Sequence, residues 1–383
     1  MNSKPTVYFA PLDAAVEQIT VGQPLPIDIF DADKVLLLAR GKVVESDSQL
    51  QALLDRGALV DLDVVRDPLQ LAKYSPRRQL PEVWDKTSDR ITAILSSYEE
   101  PLFESRLQST LPVIEELITR DPDLTIFQVV RQSAPSRHAH AARQSMLAAS
   151  VSMLVSRRIG WTGSSADTAA KCALTMNLAI LDLLGRVAVR QTAPSPREQE
   201  LIQTHPTRSR EILENAGITD REWLRAVAEH HERPDGSGYP SGLKNPSEPG
   251  QMVQCADVFV GGLTEASLGA PVTPSGVLRK LYLDNPGSPF VAALIKELGV
   301  YPAGSIVRLA NDEIGMVVKQ GPTSTTPIVA VVPIRSNRPI LEPVFRYTEY
   351  PEFAIVAVQA GREFSPAFCR QLFGVFATSV LKA

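Results

Sequence analysis

The chain has 383 residues, 44% of them hydrophobic and 21% charged, with 39 basic against 43 acidic side chains and a formal net charge of −4. That is enough apolar side chain for real cores and room for two or three domains, and it excludes wholesale disorder. A mildly acidic average also excludes the footprint of a protein that grips a nucleic acid polymer, which needs a clustered basic face.

Met1 to Ala10 holds one lysine and no apolar leader core, and no run of about 18 apolar residues stands out as a membrane span. The three cysteines, Cys172, Cys255 and Cys369, are far apart and lack Cys-x-x-Cys spacing, which fits a reducing compartment. The expectation is a cytoplasmic protein with no membrane span.

In chain order, the first module (1–70) reads as small α/β. Val35–Ala39 and Lys42–Val44 are short apolar runs split by Arg40-Gly41, Ser48 opens a helix through Leu54, and Leu59–Val65 alternates like a strand. Pro68, Pro76 and Pro81 then predict a linker over 67–80. Within 71–135, Ile91, Ile94, Leu95, Leu107, Leu111, Ile114, Leu117 and Ile118 recur at helical spacing. These helices are candidates for homo-oligomer contacts.

A helical domain is expected over 136–300. Ser195-Pro196-Arg197-Glu198 combines an N-cap, a proline at the first helical position and a capping-box glutamate, and Thr219-Asp220-Arg221-Glu222 repeats the pattern. His205 then falls midway along one helix and His230-His231 at the end of the next. After Val300, the runs Ile306–Leu309, Ile314–Val318, Ile328–Val332 and Phe353–Val358 predict a small β module (301–383), closed by a helix over Ala367–Leu381. The fold class expected is mainly α: a central helical bundle with a small N-terminal α/β module and a small C-terminal β module.

All five histidines, His138, His140, His205, His230 and His231, lie between residues 138 and 231. His205, His230-His231 and Asp257 follow one another at intervals of about 25 residues, roughly one helix plus one connection. Imidazoles and a carboxylate converging from successive helices suit divalent metal ions that clamp a phosphoryl group. The same residues also have a structural reading: histidine caps helix C-termini, and Asp235-Gly236-Ser237-Gly238 is good turn chemistry.

The run His230-His231-Glu232-Arg233-Pro234-Asp235-Gly236-Ser237-Gly238-Tyr239-Pro240 resembles the signature of the HD-GYP domain family, whose block of two histidines, glutamate, Asp-Gly and Gly-Tyr-Pro it matches in full. His205-Pro206 and Ala256-Asp257 match two further family elements. The resemblance covers 136–300. It implies an HD-type helical bundle, metal-dependent phosphodiesterase chemistry on cyclic di-GMP, and divalent iron or manganese (Fe or Mn). It further implies His205, His230, His231 and Asp257 as metal ligands, with Asp235, Gly236, Gly238, Tyr239 and Pro240 in the ligand-binding loop. His138 and His140 stand near a further family ligand position.

The sequence departs from the family where a His-Asp pair and a lysine are expected. Thr175-Met176-Asn177-Leu178-Ala179-Ile180-Leu181 occupies that segment, placing Asn177 and Leu178 at the metal-binding pair and Leu181 at the lysine. A leucine cannot bridge two metals, and an asparagine amide oxygen is a weak neutral ligand. Asp182, one helical turn beyond Leu178, is a distant substitute. After Asp257, Leu263-Thr264 is retained, but the family's basic arginine-proline-tyrosine-arginine element is absent over 259–271. Arg131, Arg137, Arg143, Arg157 and Arg158 form a basic grouping, by default a solvated face; converging on the site, they would hold phosphates. The expectation is a degenerate HD-GYP domain that binds cyclic di-GMP or a signalling protein partner without hydrolysis. The alternatives are an active phosphodiesterase and a scaffold.

Overall fold

The structure, a computed structural model, describes residues 9–25, 27–61, 67–131, 137–190, 193–265, 273–331 and 343–359. The chain divides into two compact units, Met1–Thr87 and Ser88–Ala383.

In the first unit, strands β1 (Phe9–Pro11), β2 (Ile29–Phe30), β3 (Leu36–Leu38) and β4 (Leu59–Asp61) form an antiparallel sheet in the order β1-β4-β2-β3. Leu12, Leu25, Ile27, Ile29, Val44 and Val60 fill its core. Helix α1 (Asp47–Asp55) begins at Ser46, whose side chain accepts from the Gln49 N–H. Lys42–Val44, expected as a strand, contributes one isolated bridge, Pro24 to Val43. The expected linker differs more: Pro68–Tyr74 is helix α2, with Asp67 accepting from the Leu69 N–H. Pro68 sits in the first turn, where its missing N–H has no helical partner to lose. After a 3-10 turn, Arg77–Gln79, helix α3 (Leu80–Leu95) follows.

The second unit is mainly helical. Helices α4 (Phe103–Gln108), α5 (Leu111–Arg120) and α6 (Pro122–Val130) precede the long α7 (Arg137–Ile159). Then come α8 (Ser164–Thr175), a 3-10 turn (Leu178–Ile180), α9 (Leu181–Arg190), α10 (Pro196–Asn215), α11 (Arg221–Glu229), α12 (Glu248–Glu265), α13 (Pro274–Asp284) and α14 (Pro289–Leu298). Helix α7 packs against α8, α9, α12 and α14, while α11 packs against α8, α10 and α12. Burial explains α7: Ala141, Ala142, Ala148 and Ala149 let neighbouring helices approach closely, and Met146, Leu147, Val151 and Leu154 fill the gaps.

One segment, Ser164–Ala188, is long and apolar enough to pass a compositional test for a membrane span, contrary to the sequence expectation. In the fold it is two helices broken at the 3-10 turn, and 72% of its apolar window is buried inside the bundle. The oligomer expectation meets a different fate. Ile91, Ile94, Leu95, Leu107, Ile114, Leu117 and Ile118 are all buried within the chain, so their periodicity marks an internal core.

Both halves of the Ser195–Glu198 capping box form. At the next helix the cap is Asp220, not Thr219: its side chain accepts from the Trp223 N–H. Aspartate at the shifted position adds favourable charge at the helix N-terminus.

The C-terminal strands β5 (Ile306–Leu309), β6 (Ile314–Lys319), β7 (Ile328–Val331), β8 (Val344–Tyr347) and β9 (Ile355–Gln359) form an antiparallel sheet in the order β8-β7-β6-β5-β9. Strand β8 is absent from the sequence expectation, because Val344-Phe345-Arg346-Tyr347 lacks a clean apolar run. Phe353 belongs to the 3-10 turn Pro351–Phe353 and not to β9. The helix expected over Ala367–Leu381 lies outside the described residues.

Candidate metal centre

Two helices deliver the histidines. His205 sits mid-way along α10 and is 1% exposed, His230 closes α11 and is fully buried, and His231 follows it. One potential ligand atom from each lies within 4.8 Å of the others. Each of the first two rings is anchored by its own helix. His205 Nδ1 lies 2.5 Å from the Ile202 carbonyl and His230 Nδ1 2.7 Å from the Val227 carbonyl. A carbonyl can only accept, so both Nδ1 atoms donate.

That fixes the tautomer and creates an opposition. Burial pushes the pKa of His205 down to about 4, and burial followed by the neighbouring His205 pushes His230 down to about 3. Both rings are therefore neutral near pH 7, with bare Nε2 lone pairs facing each other at 3.1 Å. Two lone pairs at that distance repel, and a shared cation converts the repulsion into two bonds. This is the usual arrangement of metal-binding imidazoles, with the far ring nitrogen tied to a carbonyl. Burial also holds His231 well below its ordinary range, reinforced by the two histidines and Arg233.

Asp257, on α12, places Oδ2 3.9 Å from His231 Nε2 and is partly shielded, with its side chain 13% exposed. Tyr239 stacks on His231, centroids 4.5 Å apart and planes 22° from parallel. Burial, then the Asp257 charge, raises the Tyr239 phenol. His205, His230, His231 and Asp257 are thus brought together, with Tyr239 covering one imidazole.

The loop that makes this possible is held by Glu232, which sequence reasoning passed over as one motif letter. Glu232 is 2% exposed, and its two oxygens accept from the Ser241 N–H at 2.7 Å and the Leu243 N–H at 2.8 Å. Glu229 similarly accepts from the Ser247 N–H at 2.6 Å. Gly238 is required by space: an added Cβ would lie 2.4 Å from the Arg233 nitrogen and 2.5 Å from the His231 carbonyl oxygen. The Tyr239 N–H donates to that same carbonyl. Gly236 turns the chain at φ +80°, and exposed Asp235 accepts from the Ser237 N–H and hydroxyl. Pro240 is exposed and follows a cis Tyr239–Pro240 bond.

The chain between α8 and α9 is buried beside the helix of His205. Asn177 is 3% exposed and Leu178 5% exposed, and the turn they begin packs on α10, the helix of His205. The Ala179 N–H donates to the Ser209 hydroxyl, one turn beyond His205. Leu181 opens α9 and is half-buried. Asp182 lies in the first turn of α9 and is exposed. The break at Asn177 removes the continuous helical face that would have aligned Asp182 with Leu178.

A second feature missed from sequence is the tie between α8 and α11. Lys171 Nζ lies 2.6 Å from Asp220 Oδ2 and over the Trp223 ring at 5.1 Å, and Trp223 Nε1 donates to the Thr175 hydroxyl at 2.9 Å. It fixes the helix that carries His230 against the segment that leads to Asn177. A lysine, a threonine, an aspartate and a tryptophan spread between residues 171 and 223 carry no local signal.

The basic grouping does not gather around the histidines. Arg157 bonds Glu115 and Thr119, and Arg158 bonds Glu297. Arg143 is buried and bonds Gln128, so it departs from the solvated-face default. His140 is half-buried and lowered by burial. The side chains of His138 and Arg137 lie outside the described residues, as does the stretch 266–272.

Residues 128–283 match the family model of the HD domain. A curated cyclic di-GMP phosphodiesterase from Pseudomonas aeruginosa is 30% identical over 150 residues, which is 38% of this chain. The match spans 36% of that relative's length. A solved HDG"Y"P protein from Bdellovibrio bacteriovorus aligns over 76% of this chain and 98% of its own, at 13% identity and a TM-score of 0.44.

Proposed function

Because the chain carries an HD domain of the HD-GYP family, we propose that it is a degenerate member working in cyclic di-GMP signalling, where it binds the nucleotide or a signalling protein without hydrolysing it. The observation that supports this reading is buried Leu178 beside Asn177, on a turn packed against the His205 helix, in the segment where the family resemblance implies a His-Asp pair. Two ions about 3.5–4 Å apart repel strongly, and a shared carboxylate offsets that repulsion. A leucine supplies no charge.

The residues present do fit one divalent ion. His205, His230 and His231 would hold it, Asp257 would complete the donor set, and the ion would supply Lewis-acid stabilisation of phosphoryl oxygens. The neutral, carbonyl-anchored imidazoles support that fit. Tyr239 holds the His231 ring in place, and Glu232 holds the loop that presents both. The same fit favours a second reading, a weakly active one-ion phosphodiesterase.

Calorimetric titration with cyclic di-GMP, run beside a hydrolysis assay on iron- or manganese-reconstituted protein, separates these readings. The proposal expects saturable binding or partner recruitment and no linear dinucleotide or GMP. Turnover that His230→Ala abolishes would establish the one-ion enzyme instead.

A further inference from the structure

We propose that β3 is the contact through which two copies of this chain pair, edge to edge and antiparallel. With the helical apolar faces of 91–118 buried inside the chain, other apolar surface must be sought for self-association. Val35, Leu36 and Leu37 are 60%, 50% and 40% exposed, and Val43 nearby is 40% exposed. This is a run of three consecutive exposed apolar residues on the outermost strand of the sheet.

A sheet edge offers unpaired backbone N–H and C=O groups, and proteins ordinarily guard it with lysine, proline or a covering element. The opposite edge of this sheet is guarded: β1 ends in Pro11, which has no N–H to donate. Among the described residues, β3 carries no such residue and pairs with no strand but β2. An assembly through β3 alone is therefore closed at two copies, as an isologous contact requires.

The charges at the ends of β3 say which occupant fits. The turn before it contains Asp31, Asp33 and Lys34, and Asp31 accepts from the Asp33 and Val35 N–H groups, which fixes its shape. The turn after it contains Arg40, Gly41 and Lys42; Arg40 is engaged by Asp28 and Gln70 of its own chain, and exposed Lys42 is the cation that faces outward. One end is net acidic and the other basic, so the strand is complementary to itself reversed. In antiparallel pairing about a two-fold axis, directly opposed residues share a face, so Leu37 of one copy faces Leu37 of the other, and the acidic turn of each copy lies beside the basic turn of its mate. A parallel arrangement would set like charges together.

Sedimentation of the full chain over a wide concentration range tests this. The wild type should move from monomer to dimer mass as concentration rises. Leu37→Lys, at an exposed position where folding tolerates it, should remain monomeric with an unchanged circular dichroism spectrum. Asp33→Lys should raise the dimer Kd several-fold, an effect that added salt reverses by screening the repulsion. A wild type that stays monomeric, a Leu37→Lys dimer as tight as wild type, or an Asp33→Lys dimer of unchanged affinity would each overturn the proposal.

Discussion

The histidine face and the 177–181 turn lie within one domain, and they differ in how completely they are built for metal chemistry. On the histidine face every imidazole is oriented: two by their own helix carbonyls, the third by a tyrosine stacked on it. A buried glutamate then locks the intervening loop. On the turn packed against the His205 helix, the buried positions are occupied by Leu178 and Asn177. On the proposed reading, fold and metal affinity survive on the histidine side while charge neutralisation fails on the other. Half a site of this kind is well made for holding a ligand and poorly made for stabilising a transition state, which needs charge aimed at the reacting group.

The largest effect, loss of metal, should come from removing the lock. Glu232→Ala removes the shared acceptor of the Ser241 and Leu243 N–H groups and a buried side chain, and should destabilise the domain by roughly 1–3 kcal/mol, with metal uptake lost as the loop moves. Urea unfolding and metal retention measure both. Glu232→Gln, which keeps one good acceptor, should lose about half as much. Adding what the 177–181 turn lacks is the next strongest test. Asn177→His with Leu178→Asp should destabilise the metal-free protein by roughly 3 kcal/mol, because a carboxylate is buried unpaired, and should raise the metal content above that of wild type. No gain in metal would mean that this turn does not face the histidines.

Gly238→Ala should cost about 1–3 kcal/mol, because its Cβ would strike backbone atoms of residues 231–233. Loss of the Tyr239–His231 stack should be visible as a changed tyrosine spectrum.

The fold class, the order of elements and the three converging histidines were legible because they depend on local signals: apolar period, caps and a compact motif. Asp67-Pro68 was misread because proline punctuates linkers and also starts helices, and only the cap geometry decides between them. The Lys171–Asp220–Trp223–Thr175 tie was invisible because its members meet only after α8 and α11 pack. Glu232 was visible as a letter, but its two backbone acceptor bonds belong to a loop path that no pattern specifies. The break at Asn177 was hidden because Leu178–Leu181 reads as continuous helix.

A smaller effect distinguishes the histidine face by pH. His205 and His230 sit near 4 and 3 in the fold against 6.5 as model groups, and His140 and His231 are lowered too. Below pH 6.5 the unfolded chain takes up protons that the folded chain does not. The metal-free protein should therefore lose stability as pH falls from 6.5 towards 4.5, by up to about 1.4 kcal/mol per pH unit for each such histidine. His205→Gln should flatten that slope in denaturant titrations at fixed pH. An unchanged slope would remove the neutral-imidazole account.

The central claim is a site built on one side only, and metal stoichiometry measured on the same preparation as cyclic di-GMP turnover tests it most directly. The account predicts no more than one divalent ion per chain, lost in His230→Ala, and no hydrolysis product. Two ions per chain together with sustained formation of linear dinucleotide would contradict it.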